Sequence, residues 1–362
     1  MTPEAFRALF PALADRVWLD TPASPPGPLP VIAALTEAMT AWQDGRLEAA
    51  GWETAAPAAR AEFARYLGVA AADVAVMGSV AEAAATVAAS LPAARRTIVV
   101  GDDEFRSNLF PWLTLRARGY QVVRVPTGPA GRTESLLTTI DKTTALVAVS
   151  EVLSIDGERV DLARLRDATD AVGARLFVDL TQSLGVLHPD LSLVRPDYLA
   201  VHGYKWLLCP RGAAWLVTPH HDELHPLLPS WKSTPDGGYF GGPLRTSADA
   251  SRCDTSPAWL SWIGACAAIQ LIAQLPAVDV EQHCLTLADA FRDESRSAGA
   301  VPASAGLSSH IVVVRVPDPE AVRARLRSGR VHAQVLGDRL RVGFHYFNNH
   351  DDVTAALRML AR

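Results

Sequence analysis

Phe177-Val178-Asp179-Leu180-Thr181-Gln182 and, one apolar run later, His202-Gly203-Tyr204-Lys205-Trp206 are the segments whose reading decides the fold. The first belongs to the apolar run Leu176–Leu180, and the second follows the apolar run Tyr198–Val201. Brief, almost continuously apolar runs are strands buried on both faces, as in a parallel sheet covered by helices. Open sheets of this kind bind ligands in the crevice beyond the carboxyl ends of their strands. Asp179 and Lys205 are both expected at that edge.

The pattern extends outward. Val74–Met77, Thr97–Val100, Gln121–Val125 and Leu146–Ser150 are further strand candidates, and Ala213–Val217 completes a set of seven. Helical stretches such as Val80–Ser90, Ser107–Ala117 and Leu162–Ala171 alternate with them. That alternation predicts an open α/β sheet with right-handed crossovers. Past about residue 218 the pattern changes. Pro229–Asp254, rich in Gly, Pro and Ser, reads as a long loop, and loops of that length are often functional. Helical stretches Trp259–Ala273 and Val280–Arg296 follow, then strand candidates Ile311–Val316, Val331–Val335 and Arg339–Gly343. The expected organisation is an N-terminal arm, 1–18, that joins a smaller C-terminal α/β domain, 261–362, beside a large domain, 19–260. No internal repeat is visible.

Composition narrows the function classes. Of 362 residues, 49% are hydrophobic and 20% charged, which suits a packed core and not a disordered chain. The net charge of −5, with no basic tract, points away from nucleic acid and from anionic membrane surfaces. The start, Met1-Thr2-Pro3-Glu4-Ala5-Phe6-Arg7, lacks the basic and apolar regions of a signal peptide, and no apolar run approaches the ~20 residues of a membrane helix. Cys209, Cys253, Cys266 and Cys284 show neither CxxC nor Cys/His ligand spacing. A reduced, cytoplasmic protein without structural metal is expected.

Four polar features are candidates for the ligand crevice. Gly78-Ser79-Val80-Ala81-Glu82 follows a strand and opens an alanine-rich helix, with Ser79 and Glu82 spaced as a capping box. A helix N-terminus there offers free backbone N–H groups to an anion, although an ordinary cap has the same appearance. Asp179 ends an apolar strand, where a carboxylate is costly to bury without a cationic partner. A protonated pyridine ring is one such partner; a turn-capping Asp is the plainer reading. Lys205, flanked by Trp206, Leu207 and Leu208, has the apolar surroundings that lower a lysine pKa and make it nucleophilic toward an aldehyde, unless it snorkels to the surface. Arg341, in Leu340-Arg341-Val342-Gly343, can clamp a carboxylate bidentately or lie exposed on an edge strand. The order of the four (anion cradle, strand-end Asp, Lys one strand later, late Arg) is more specific than any one of them.

These motifs resemble the class V aminotransferase family of fold-type I pyridoxal-phosphate (PLP) enzymes, which includes cysteine desulfurases, kynureninases and isopenicillin N epimerase. The resemblance runs from Leu19 to about Asn349. Leu19-Asp20-Thr21-Pro22-Ala23 looks like the family's opening segment, Asp179-Leu180-Thr181-Gln182 its DxAQ pattern with Thr181 in place of Ala, and Tyr204-Lys205-Trp206-Leu207 its (H/Y)KW stretch. Arg341 followed by His345-Tyr346-Phe347-Asn348 looks like the late arginine and its YN tail.

The resemblance implies a mostly parallel seven-stranded sheet flanked by helices. It implies a Schiff base between Lys205 and PLP, with Asp179 on the pyridine nitrogen, Thr181 beneath the ring and Gln182 near the ring hydroxyl. The phosphate would sit on the backbone of Ser79 and Val80, with His202 and Tyr204 adding contacts. Ser256 would reach in from the partner subunit of a homodimer with shared active sites, and Arg341 would take the substrate carboxylate.

Several positions depart from the family pattern. Phe105 stands where desulfurases carry the histidine that stacks on the cofactor, which keeps the packing and removes an acid/base group. Tyr204 stands for their His, as in kynureninase-like members. Ala81 replaces the usual phosphate-binding Thr, and Glu151 stands near the usual Asn beside the ring hydroxyl. No cysteine follows Cys284, so the persulfide-forming cysteine of a desulfurase is absent.

The resulting expectation is a PLP-dependent lyase acting on a small amino-acid-like substrate in specialised metabolism, by C–S β-elimination or kynureninase-like C–C cleavage. Transamination and racemisation or epimerisation are the alternatives, and a non-catalytic PLP-binding module is the alternative of another class. The loop Pro229–Asp254, with Trp231, Lys232, Tyr239, Phe240 and Arg245, is the candidate specificity element or else a dimer contact. A nucleotide-binding reading of Gly78 lacks any GxGxxG or GxxxxGK[ST] pattern.

Overall fold

In a computed structural model of the chain, residues 1–360 are described except Ala93, Ala298 and Ala305. The seven apolar runs form one sheet, in the order Val74–Met77, Ala214–Val217, Tyr198–His202, Arg175–Asp179, Thr144–Ser150, Thr97–Gly101, Gln121–Val125. Ala214–Val217 is antiparallel to both of its neighbours, and the remaining pairs are parallel. Two antiparallel steps separate Val74–Met77 from Tyr198–His202, so these two strands run in the same direction. The segments after Met77, Asp179 and His202 therefore emerge at one edge of the sheet.

Side chains along each inner strand divide between two cores. Val99, Val147, Val149, Leu176, Val178, Leu199 and Val201 pack on one face. Ile98, Val100, Leu146, Ala148, Phe177, Tyr198 and Ala200 pack on the other. This period-2 division is what a continuously apolar run gives when both faces of its strand are covered.

The C-terminal strands form a separate antiparallel sheet, ordered Gln334–Leu336, Arg339–Gly343, Ile311–Arg315, Val301–Pro302. Leu287 and Phe291 of the helix Ala277–Ser297, Val322 of Pro319–Ser328 and Val353 of His350–Leu360 cover it. The N-terminal arm packs on this unit. Val17–Trp18 pairs in parallel with Val331–His332, Phe10 and Phe347 meet at 4.8 Å, and Arg7 pairs with Asp352 at 2.8 Å.

Three expectations need correction. Val331–Val335 is two strands: Val331–His332 pairs with the arm, and Gln334–Leu336 pairs with Arg339–Gly343. An apolar run does not encode a change of partner at Ala333. The helix expected over Ser107–Ala117 is an α-helix from Arg106 to Thr114 that tightens into a 3₁₀ turn, Leu115–Arg118, before Gly119 at φ +80°. The long loop holds a 3₁₀ turn, Ala250–Cys253, and is anchored where Asp254 accepts from Val76 N at 2.9 Å and pairs with Arg60.

One turn holds the lysine segment in place. Gly185 has φ +107°, and a Cβ there would lie 2.5 Å from the carbonyl oxygen of Trp206. Both the conformation and the close approach require glycine. Gly185→Ala is expected to destabilise the protein by roughly 3 kcal/mol or more, read as a lowered midpoint in denaturant unfolding.

Candidate active site

Lys205 follows the Tyr198–His202 strand and is 95% removed from solvent. Burial is the main reason its pKa falls to about 8; the Asp179 charge opposes that fall, and Arg341 and Arg211 add to it. Its Nζ lies 5.6 Å from the centroid of the Phe105 ring and 5.5 Å from that of Tyr204. Asp179, also 5% exposed, ends the neighbouring strand. Burial pushes its carboxyl pKa up, against hydrogen bonds from Thr181, whose N–H donates to Oδ1 at 2.8 Å.

Among the described residues neither Lys205 nor Asp179 forms an ion pair within 4.0 Å. Two buried ionisable groups without a directly opposed charge are costly, and a ligand that supplies both an aldehyde and a basic ring nitrogen meets both needs. The anion end is also provided. Ser79 caps the helix Val80–Ser90, and its side chain accepts from Glu82 N at 3.2 Å. The reciprocal half of the capping box differs from expectation, because the Glu82 carboxylate accepts from Gly78 N at 2.8 Å. The N–H groups of Ser79, Val80 and Ala81 point out of the helix start with no acceptor inside it. These residues fit pyridoxal phosphate.

The surrounding side chains are fixed by identifiable bonds. Thr181 Oγ1 accepts from His202 N at 3.0 Å, tying the two strand ends together. His202 Nε2 accepts from Gly212 N at 3.3 Å, and burial lowers its pKa to about 4. The ring is thus neutral with its proton on Nδ1, a donor suited to a phosphate oxygen. Tyr204 stacks edge-on to His202 at 4.5 Å, and burial raises its phenol pKa.

Gln182 is more heavily engaged than its sequence motif indicates. Its Nε2 donates to Pro22 O at 3.0 Å, and its Oε1 accepts from Trp206 Nε1 at 2.9 Å. One Nε2 hydrogen remains for a ring oxygen. Glu151, near the position of the usual Asn, meets Arg159 through Oε1 at 3.1 Å, and its Oε2 is buried without a hydrogen-bond partner. Ser256 stands exposed just before the helix Trp259–Ile272.

Arg341 is 5% exposed and crosses from the C-terminal sheet to the large one. It donates to Ser154 Oγ at 2.6 Å and Ser154 O at 3.0 Å, and from Nη2 to Gln334 Oε1 at 3.2 Å and Asp20 Oδ1 at 3.4 Å. Its Nε is buried without a partner. Burial lowers its pKa, opposed by Asp20.

The sequence motifs gave no role to a buried network behind Phe105. Glu104 Oε1 accepts from Ser150 N at 2.7 Å, Oε2 accepts from Ser150 Oγ at 2.6 Å, and Asn108 Nδ2 donates to Oε2 at 3.2 Å. Burial chiefly, and the Asp179 charge in part, push Glu104 up to about 7. The i,i+4 spacing of Glu104 and Asn108 was the available signal. The network sets the start of the Arg106–Thr114 helix and with it the Phe105 ring.

The family described as Aminotransferase class-V matches residues 17–309. A probable cysteine desulfurase of Methanothermobacter thermautotrophicus is 30% identical over 63% of this chain and 60% of its own length. An isopenicillin N epimerase of Streptomyces clavuligerus is 28% identical over 82% of this chain and 81% of its own. The apo structure of a cysteine desulfurase from Thermococcus onnurineus superposes with a TM-score of 0.84 at 21% identity, covering 99% of this chain and 97% of that one. That likeness shows a fold-type I architecture.

The depressed lysine pKa has a measurable consequence in cofactor-free protein. Between pH 8 and 10.5 the unfolded chain binds a proton at residue 205 that the folded chain does not, so this group makes stability rise with pH across that window. Lys205→Met is expected to be more stable than the parent at pH 7, by roughly 3 kcal/mol at most, with the difference gone by about pH 10.5. Urea unfolding at several pH values reads both.

Proposed function

The chain belongs to the class-V aminotransferase family and is a pyridoxal-phosphate-dependent enzyme; from that premise we propose that it is a lyase. It acts on an amino acid by β-elimination of a sulfur leaving group or by kynureninase-like cleavage of a Cβ–Cγ bond. Bound in the crevice, the cofactor supplies an electron sink for charge that develops at the substrate Cα.

This chain's residues do the rest. Lys205 holds the cofactor and moves the proton at Cα. Asp179 keeps the ring nitrogen charged. The helix start at Ser79 and Val80, with the His202 Nδ1–H, takes the phosphate. Phe105, Thr181, Gln182 and Tyr204 would hold the ring in place. Arg341 orients the substrate through its carboxylate, which selects the bond that can break.

The observation that carries elimination over epimerisation is the supply of proton-moving groups. Epimerisation needs proton exchange on both sides of Cα. Here Phe105, which carries no titratable group, lies with its ring centroid 5.6 Å from Lys205 Nζ, burial keeps Tyr204 protonated, and His202 Nε2 is occupied by Gly212. Of the side chains around the expected ring position, Lys205, with a pKa of about 8, is left as the base, which suffices for proton removal followed by departure of the leaving group. A persulfide-forming thiolate has no support. Cys209, Cys253 and Cys284 are buried, and burial raises each thiol pKa.

The reading includes a homodimer. Leu29, Ile32, Met39 and Trp42 recur at helical spacing on Leu29–Gln43 and are 48–60% exposed, and Phe105 and Phe110 are 55% and 49% exposed. An exposed apolar helix face of this kind fits a subunit contact, and Ser256 would then enter the partner's site. It also includes a cytoplasmic location, supported by four unpaired cysteines. No single helix among the described residues is long and apolar enough to cross a membrane.

The purified enzyme is expected to be yellow, and Lys205→Ala to lose both the borohydride-sensitive visible band and about 10²–10⁴-fold in turnover. Pyruvate and ammonia from a cysteine-derived substrate are the expected products; an unchanged band in Lys205→Ala, or a stable pyridoxamine-type spectrum without keto-acid release, would refute the lyase assignment. Trp42→Glu is expected to shift the mass measured by light scattering from dimer to monomer and to reduce turnover with it.

A further inference from the structure

On the side of Tyr204 lies a cavity of about 300 Å³ in which the other lining residues have no assigned role at the reacting centre. Ile32, Leu35 and Leu208 give it apolar walls, Ser24 and Tyr204 contribute polar groups, and Arg211 is the one charged residue on its lining. No carboxylate lines it. The Arg211 guanidinium has no ion-pair or hydrogen-bond partner among the described residues, and its Cζ sits 5.0 Å from the centroid of the Tyr204 ring. The same ring is 5.5 Å from Lys205 Nζ, so the two cations are no further apart than the sum of those two distances.

The backbone that carries Arg211 is held firmly although the side chain is exposed. Pro210 packs so closely on Gly264 that a Cβ there would lie 2.3 Å from Pro210 Cγ. Gly212 has φ +101° and donates to His202 Nε2, and Ser261 Oγ donates to Arg211 O at 2.8 Å. A cation on a fixed backbone, at the end of an apolar-walled cavity without a counter-charge, is arranged to receive an anion. Its charge depresses the pKa values of Lys205 and His202, which places it electrostatically inside the site.

We propose that Arg211 and this cavity form a side-chain subsite that selects amino-acid substrates ending in an anionic group, a carboxylate or sulfinate carried on an aliphatic segment. The proposal rests on the enzymatic reading above, with Arg341 on the α-carboxylate and Lys205 at the reacting centre. Arg211 takes the far end of the side chain, while Leu35 and Leu208 cover its methylenes. Free Arg211 also stacks on Tyr204, so its removal could act through that ring alone. A lysine at 211 keeps the charge and weakens the stacking, which separates the two effects.

The test is isothermal titration calorimetry of the holoenzyme with L-2-aminoadipate and with L-norleucine, which differ at the side-chain terminus. The parent protein is expected to bind aminoadipate at least about tenfold more tightly than norleucine. Arg211→Gln should bring that ratio close to one, and Arg211→Lys should retain most of it. A ratio near one in the parent, an unaltered ratio in Arg211→Gln, or an effect confined to retention of pyridoxal phosphate overturns the subsite. The visible band of the parent is recorded in parallel. Its absence would count against the cofactor reading, whereas the calorimetric ratio decides the role of Arg211 in either case.

Discussion

The parallel register that sets Phe177 against Tyr198, Val178 against Leu199 and Asp179 against Ala200 is the constraint from which the site follows. It brings a carboxylate to the end of one strand and, a few residues past the end of the next, an amine, both almost wholly out of water. Alternation has a period of two, so a slip of one residue would exchange the two faces of these strands and drive Asp179 into the core. Both faces of these strands are apolar, so the register is held by the fit of particular side chains in the two cores and not by a polar–apolar alternation. The energy that holds two ionisable groups in an unfavourable place comes from the hydrophobic packing around them, and their unmet electrostatic demand is what a charged, aldehyde-bearing ring satisfies.

Around this pair, rigidity comes from polar bonds that do not themselves touch a substrate. Thr181 joins the two strand ends through His202 N, and Gln182 joins Trp206 to Pro22. Glu104 fixes the helix that presents Phe105. Gly185 lets a turn pass close to the Trp206 carbonyl, and His345 makes a hydrogen bond to that same oxygen at 3.0 Å. Apart from the Glu104 bonds, which place Phe105, these contacts locate the segment 202–206, and a site that must choose among several bonds at one carbon depends on such placement.

Arg341 plays a second structural part. It belongs to the C-terminal sheet, yet Ser154 of the large sheet's loops and Asp20 of the N-terminal segment accept its hydrogen bonds. A buried guanidinium needs several acceptors, and here they come from three separate stretches of chain. The residue expected to orient the substrate therefore also ties the C-terminal sheet to two stretches of the large unit.

The sequence by itself determined the sheet, its seven strands, and the identities of Asp179, Lys205, Ser79 and Arg341 as the polar residues placed at strand ends or on late strands. Local patterns carry that information: apolar runs without alternation mark strands buried on both faces, and a polar residue closing such a run stands out against them. What only the tertiary structure decided is anything that depends on which neighbour a side chain meets. The run Val331–Val335 serves two sheets, Glu151 turns to Arg159, Gln182 is drawn to Pro22 and Trp206, and Arg211 reaches Tyr204 because Pro210 rests on Gly264. These contacts join residues distant in the chain, and spacing along the chain holds no record of them.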